Sequence, residues 1–260
     1  MMRILDASLY DFPKYYDLLF GSDWKAEFDF LNMCFQKYAR RPVRALFEPA
    51  CGTGRLLIRF ASAGYDVSGN DLNAKAVGYC NARLKRHGFS ASATIGDMAD
   101  FRLPRTVDAI FNTINSFRHL RTERAAEDHL RCVSSALSPG GLYVLGFHLT
   151  PAGPATCDEE SWSARRGHLA VCSRMRSLAL DCRRRCEHVE MAVDIYTPTR
   201  QFRLVEEMVF RTYTAQQFQC LLGRIEGLEL AETHDFAYDI DHPVRVDATT
   251  EDVVYVLRRR

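Results

Sequence analysis

No long apolar run occurs in this chain. The longest candidate core strand is GLYVLGF, from Gly141 to Phe147, whereas a membrane-crossing helix needs roughly 20 apolar residues. No membrane partner is therefore expected. Neither charge sign dominates, since 34 Lys and Arg face 33 Asp and Glu. No net field draws the chain to nucleic acid or anionic lipid. An apolar leader is also missing: Arg3, Asp6 and Asp11 break up MMRILDASLYD, and a signal peptide needs roughly 7–15 apolar residues in a row. The expected location is cytoplasmic. The nine cysteines are scattered and odd in number, which reads as reduced thiols and not as a disulfide framework.

Metal chemistry lacks its ligands as well. In CRRRCEH, Cys182 to His188, an iron–sulfur loop would need a third cysteine at position 189, which is Val. Zinc on Cys182, Cys186 and His188 has no fourth ligand nearby. The stretch reads as a strand with its thiols inward and its arginines outward, and no metal is expected.

What is present is a rhythm. Residues 43–48, 65–71, 92–98, 107–112 and 142–149 read as strands. Residues 53–64, 73–88 and 122–141 read as helices, the last two stopped by Gly88 and by Pro-Gly-Gly. Alternation at this spacing means crossover units and a parallel sheet. The first 40 residues are mainly helical and aromatic. After Thr150 the rhythm changes. A loop with Pro and Gly, PAGPATCDEESW, leads into long, partly alternating segments that read as an antiparallel meander. Thr214 then caps a helix, and two strands finish the chain. The expected units are 1–150 (lid helices and core), 151–213 (cap) and 214–260 (final helix and strands of the core).

The first elbow of the core is FEPACGTGR, Phe47 to Arg55. Gly52 and Gly54 supply a tight turn, but position 57 is Leu, so the third glycine of a dinucleotide fingerprint is absent. No Gly-Lys-Ser/Thr follows, so an ATP phosphate loop is absent too. Glu48 would repel a phosphate. The stretch resembles motif I of class I S-adenosylmethionine-dependent methyltransferases, an acidic residue, two spacers and Cys-Gly-Thr-Gly. The match continues in GND, where Asp71 ends the second strand, and in GDM after the third.

The resemblance implies a doubly wound, mostly parallel, seven-stranded Rossmann-like α/β sheet, with the antiparallel cap inserted after its fifth strand. S-adenosyl-L-methionine is the implied cofactor. Glu48, Ala50, Gly52, Gly54 and Arg55 would hold its methionine end. Asp71 would accept from both ribose hydroxyls, Leu72 would pack on adenine, Asp97 would accept from the adenine amino group, and the Met98 backbone would lie by the ring. Taken alone, the same glycines make a tight turn and the same aspartates make helix caps.

FNTINSFRHL, after the fourth strand, resembles the corresponding segment of glycine N-methyltransferase-like enzymes, and more loosely that of amino-sugar N-methyltransferases. YYDLLF, Tyr15 to Phe20, resembles their N-terminal lid. This implies methyl transfer to a small-molecule acceptor, with an amine nitrogen the expected site. His119 is the candidate to accept a proton or orient the acceptor, because histidine titrates near neutral pH; bracing a loop is the alternative. Tyr16 would reach over the cofactor, Asn112 would hold the methionyl group, and Asn115 would close the loop or position the acceptor. The seven arginines between Arg165 and Arg185 could grip a carboxylate or RNA, or form a solvated sheet face. An RNA or protein methyltransferase, a non-catalytic cofactor-binding regulator and an NAD-type protein stay open as alternatives. A homodimer is compatible with the sequence.

Overall fold

The computed structural model describes residues 2–153 and 159–260. In chain order the elements are β1 (Arg3–Asp6), α1 (Pro13–Phe20), α2 (Lys25–Tyr38), β2 (Ala45–Pro49), α3 (Leu57–Ser62), β3 (Asp66–Asp71), α4 (Ala74–Arg86), β4 (Ala93–Ile95), β5 (Val107–Asn112), α5 (Glu123–Ala136), β6 (Leu137–His148), β7 (Glu159–Arg166), β8 (Leu169–Asp181), β9 (Cys186–Tyr196), β10 (Gln201–Arg211), α6 (Ala215–Leu222), β11 (Leu228–His234) and β12 (Asp252–Arg259). Short 3₁₀ turns sit at Leu9–Asp11 and Ser116–His119.

Seven strands form one sheet in the order β11-β12-β6-β5-β2-β3-β4. All neighbours are parallel except the two pairings that β12 makes, with β6 and with β11. The strands read as continuous apolar runs because both faces are covered. On β6, Tyr143, Leu145 and Phe147 enter a core shared with α5 and α6, while Leu142 and Val144 enter one shared with α2, α3 and α4. On β12, Val253, Tyr255 and Leu257 alternate with Val254 and Val256 in the same way.

The second sheet runs β1-β10-β9-β8-β7. The cap is antiparallel from β7 to β10. β1 adds a parallel edge, with Arg3 to Asp6 opposite Phe202 to Val205. The chain therefore begins in a strand before its aromatic helix. Residues 154–158 of the loop read after Thr150 lie outside the described residues, and β7 takes over at Glu159.

Three local readings need correction. Cys182 to Arg185 form the turn between β8 and β9, and only from Cys186 does the stretch run as a strand. Asp181 Oδ1 accepts from the N–H groups of Arg183 and Arg184, and Arg185 has φ +56°, so the backbone reverses there. α5 stops at Ala136, ahead of Pro-Gly-Gly. Those residues instead form an irregularity within β6, whose register against β5 shifts between Val107 and Ala109. Gly141 is required there, because a Cβ would lie 2.6 Å from the Asp108 carbonyl oxygen. The third strand shortens to Ala93–Ile95, which frees Gly96 to Met98 to form a loop.

One buried histidine ties the core to that loop. His129 on α5 has no exposed surface. Its Nδ1–H donates to the Met98 carbonyl and its Nε2 accepts from the Tyr143 hydroxyl, both at 2.7 Å. Burial, only partly offset by the bond to Met98, pushes His129 down to about 4. The unfolded chain takes up this proton near pH 6.5, so between about pH 6.5 and 4 the unfolded state holds more protons. The stabilisation is complete above that window and is lost as pH falls through it. Urea unfolding should show a drop of about 2 kcal/mol between pH 7.5 and pH 5 attributable to this group. The drop should be absent in His129→Gln; equal drops in both proteins would show that His129 is not the cause.

Candidate active site

Two cavities meet at the carboxyl ends of the parallel strands, where open α/β sheets bind their ligands. A cleft of about 400 Å³ runs along the β2 elbow and the ends of β3 and β4. A chamber of about 560 Å³ lies between the core and the cap. The two share Tyr10, Tyr16, Ile114 and His119 as common wall.

The elbow is a left-handed staircase. Ala50, Gly52 and Gly54 have φ of +54°, +52° and +68°. Such angles cost little for glycine and are uncommon for alanine. The turn aims the Gly52 N–H at Asp71 Oδ2, 2.8 Å away, and Asp71 Oδ1 accepts from Asn73 at 2.8 Å. Asp71 therefore joins two loops and still borders the cleft. Burial raises its pKa, opposed by these two bonds. Gly54 faces away from the cleft, and its missing side chain makes room for Cys80, whose Sγ would be 2.3 Å from a Cβ there.

Ala50, Gly52, Asp71, Leu72, Met98, Tyr16 and His119 all line the cleft. Leu72 is 70% exposed at its mouth. Asp97 does not line it. Its Oδ1 accepts from Ala99 N at 2.8 Å, so the loop turns that carboxylate back on itself.

Beneath the elbow, Glu48, Arg55 and Asn112 border a small recess with Tyr16. The Arg55 guanidinium is committed elsewhere, to both oxygens of Glu27 on α2, at 2.5 and 2.7 Å. Burial works against that charge, and Glu27 outweighs it. Asn112 Nδ2 donates to Pro49 O at 2.8 Å, clamping β5 to β2. Glu48 Oε2 and Asn112 Oδ1 are buried and have no hydrogen-bond partner. Burial pushes Glu48 well above the usual carboxylate range, with Arg55 opposing it.

Asn115 lines the chamber, but its Oδ1 accepts from His148 N at 3.1 Å and its φ is +64°. It shapes the β5 loop against β6. His119 Nε2 pairs with the Tyr10 hydroxyl at 3.1 Å, and its ring meets Phe210 edge-on at 4.9 Å. The ring itself is exposed to the cavities, and packing on its other sides, helped by Arg118, lowers its pKa, which keeps it mostly neutral at pH 7.

The α1 segment is latched from below. Tyr16 packs on Phe20 with ring centroids 4.7 Å apart. Asp17 is 2% exposed and takes Arg83 Nη1 at 2.5 Å and the Tyr79 hydroxyl at 3.3 Å. Leu18 and Leu19 pack on Val171, Met191 and Val193 of the cap.

Several lining residues carry no signal in the sequence: Tyr10, Glu27, Trp162, and His148, whose Nδ1 lies 2.7 Å from Asp252 Oδ1. The cap alternation does have a readable consequence. Met175 on β8 faces the chamber, while Arg174 and Arg176 beside it are exposed on the outer face.

Residues 47–141 match the family model of a methyltransferase domain. The chain carries a class I methyltransferase fold. A curated relative, the dTDP-3-amino-3,4,6-trideoxy-alpha-D-glucopyranose N,N-dimethyltransferase of Streptomyces venezuelae, is 30% identical over 139 residues, which is 52% of this chain and 56% of the relative. The chain thus spans little more than half the length of the curated relative it matches. Among solved structures, an S-adenosylmethionine-dependent methyltransferase from Clostridium acetobutylicum aligns over 95% of this chain and 97% of its own, with a TM-score of 0.77 at 17% identity. A sugar N-methyltransferase from Streptoalloteichus aligns over 98% and 94%, with a TM-score of 0.74 at 19% identity. No described helix of the methyltransferase fold is long and apolar enough to cross a membrane. Among the described residues no three His, Cys, Asp or Glu side chains converge as a metal site would require.

Proposed function

We propose that this chain is an S-adenosylmethionine-dependent methyltransferase whose acceptor is an amine nitrogen of a small molecule. The observation that carries the reading is the common wall of the two cavities, Tyr10, Tyr16, Ile114 and His119. A donor in the cleft and an acceptor in the chamber would meet there. The amine reading draws on the N-methyltransferase names of the sugar-modifying relatives. In this reading the strands β7 to β10, with β1, roof the acceptor chamber over the cofactor-binding core.

The cleft fits the cofactor on its own chemistry. Glu48 Oε2 and Asn112 Oδ1, buried without partners, suit an ammonium donor at the methionine end. Asp71 suits a ribose diol. Leu72 and Met98 offer an apolar rim to a planar base. Bound S-adenosylmethionine supplies a methyl group already activated on a sulfonium. The chain's own residues then need to align an acceptor with it and exclude water, which supplies much of the acceleration. Tyr10 and Tyr16 stay protonated as donors, because burial raises both phenols. His119 orients the acceptor in partnership with Tyr10.

Calorimetry should detect S-adenosylmethionine and S-adenosylhomocysteine but not NAD. Mass spectrometry should then find methylated products from an amine panel. Binding of NAD in place of both adenosyl ligands would overturn the reading. The lid supplies a further expectation: hydrogen exchange across residues 10–24 slows on adding S-adenosylhomocysteine, and Asp17→Asn, which weakens the latch to Arg83, raises the exchange of the free protein. Equal exchange with and without ligand would remove the lid role.

A further inference from the structure

The chemistry of the chamber wall narrows the acceptor further than an amine of unspecified size. Besides Tyr10 and Tyr16 of the common wall, five aromatic rings line it: Phe20 from the lid, Trp162 and Phe210 from the cap, and Phe236 and Tyr238 from the loop after β11. Phe20 and Trp162 meet edge to face at 5.6 Å, and Phe236 and Tyr238 lie 6.1 Å apart. Met175, Met191 and Met208, one from each central cap strand, complete an adaptable apolar roof.

The charges on this wall are one-sided. Asp23, Glu27 and Glu160 are carboxylates, against the single guanidinium of Arg55. Arg55 is not available to a ligand anion, because it is held by both oxygens of Glu27. Asp23 and Glu160 make no ion pair among the described residues. His119 is mostly neutral at pH 7, and His148 already has the Asp252 carboxylate at Nδ1. The cap arginines do not reverse this balance, since Arg174 and Arg176 lie on the outer face and Arg176 pairs with Glu190 at 3.0 Å. The sequence of residues 154–158, Pro-Ala-Thr-Cys-Asp, contains no basic side chain. Phosphate recognition relies on unpaired Arg or Lys, or on clustered backbone N–H groups. Cations, by contrast, are attracted to aromatic faces and to carboxylates.

We propose that the chamber selects an amine acceptor on an apolar body, drawn in as its ammonium ion and methylated only after that ion has given its proton to water or to the Glu160 carboxylate, and disfavours acceptors that carry a phosphate or diphosphate. The proposal rests on the reading of this chamber as the acceptor site, and it separates this chain from a nucleotide-linked amino sugar as substrate.

The test is calorimetry on the full chain saturated with S-adenosylhomocysteine. The probe is benzyltrimethylammonium, a fixed cation on an aromatic body that has no lone pair to methylate. The competing probe is thymidine 5′-diphosphate. Benzyltrimethylammonium should bind, and Trp162→Leu should weaken it roughly 3- to 30-fold, the range of a desolvated cation–π contact. Glu160→Gln should weaken it several-fold and flatten its salt dependence. Trp162→Phe, which keeps an aromatic face, should restore most of the affinity and so separate recognition from misfolding. Thymidine 5′-diphosphate should bind more weakly than the cation. Tighter diphosphate binding, or cation binding that is absent or unchanged in all the variants, would overturn the proposal. Failure of S-adenosylhomocysteine to bind would instead overturn the methyltransferase reading itself, so the two failures are distinguishable.

Discussion

Glu27→Ala should cost about 3–5 kcal/mol of folding stability, the usual penalty for stranding one member of a buried ion pair. Glu27 and Arg55 side chains are 4% and 5% exposed. Their two parallel bonds fix α2 to the segment that follows the glycine elbow, and the Thr113 hydroxyl donates to the same carboxylate. Removing Glu27 leaves a buried guanidinium without its two-oxygen partner beside Glu48. Removing both charges, in Glu27→Ala combined with Arg55→Met, should recover much of the loss, because the desolvated charge is then gone. Urea unfolding of the two variants and the wild type decides it. A single-variant loss below about 1 kcal/mol would mean that water reaches Arg55 freely, as at a surface pair.

Asp71→Ala should weaken S-adenosylhomocysteine binding roughly 10- to 150-fold while the protein still folds. Each hydrogen bond to a charged acceptor contributes about 1.5–3 kcal/mol. The structure adds a reason beyond lost contacts. Asp71 accepts from Gly52 N and Asn73 N, so the variant also releases the elbow from the start of α4. Asp71→Asn separates the two effects. It keeps a side-chain oxygen able to accept one of these bonds but loses the charge, and should fall between the wild type and alanine. Calorimetry gives the affinities, and circular dichroism checks the fold. An unchanged dissociation constant in Asp71→Ala would take Asp71 out of the site.

The alternation of buried strands with amphipathic helices, the elbow at Gly52 and Gly54, and the placement of Asp71 at the end of its strand were legible in the sequence. Each signal lies within one element or at its edge, where local periodicity and turn chemistry act directly. The same locality explains the misreadings. Pro-Gly-Gly stops helices in general, but here the partner strand β5 draws those residues into an irregular stretch of β6. Cys182 to Arg185 have strand-like composition, yet the pairing of β8 with β9 leaves them at the reversal.

What only the tertiary structure decided are the pairings between distant segments. Glu27 and Arg55 are 28 residues apart, Asp17 and Arg83 are 66 apart, and Tyr10 and His119 are 109 apart. No local spacing encodes these contacts. They arise because both faces of the core sheet must be covered, which brings α2 under the elbow, and because the apolar face of the cap must be buried, which brings the lid leucines and the three methionines together over the strand ends. The charge of the chamber between core and cap is set in the same way. Alternation on β8 sends Arg174 and Arg176 outward and Met175 inward, and the ion pair with Glu27 withdraws Arg55. A chain whose composition is nearly neutral thereby lines one cavity with carboxylates and aromatic rings.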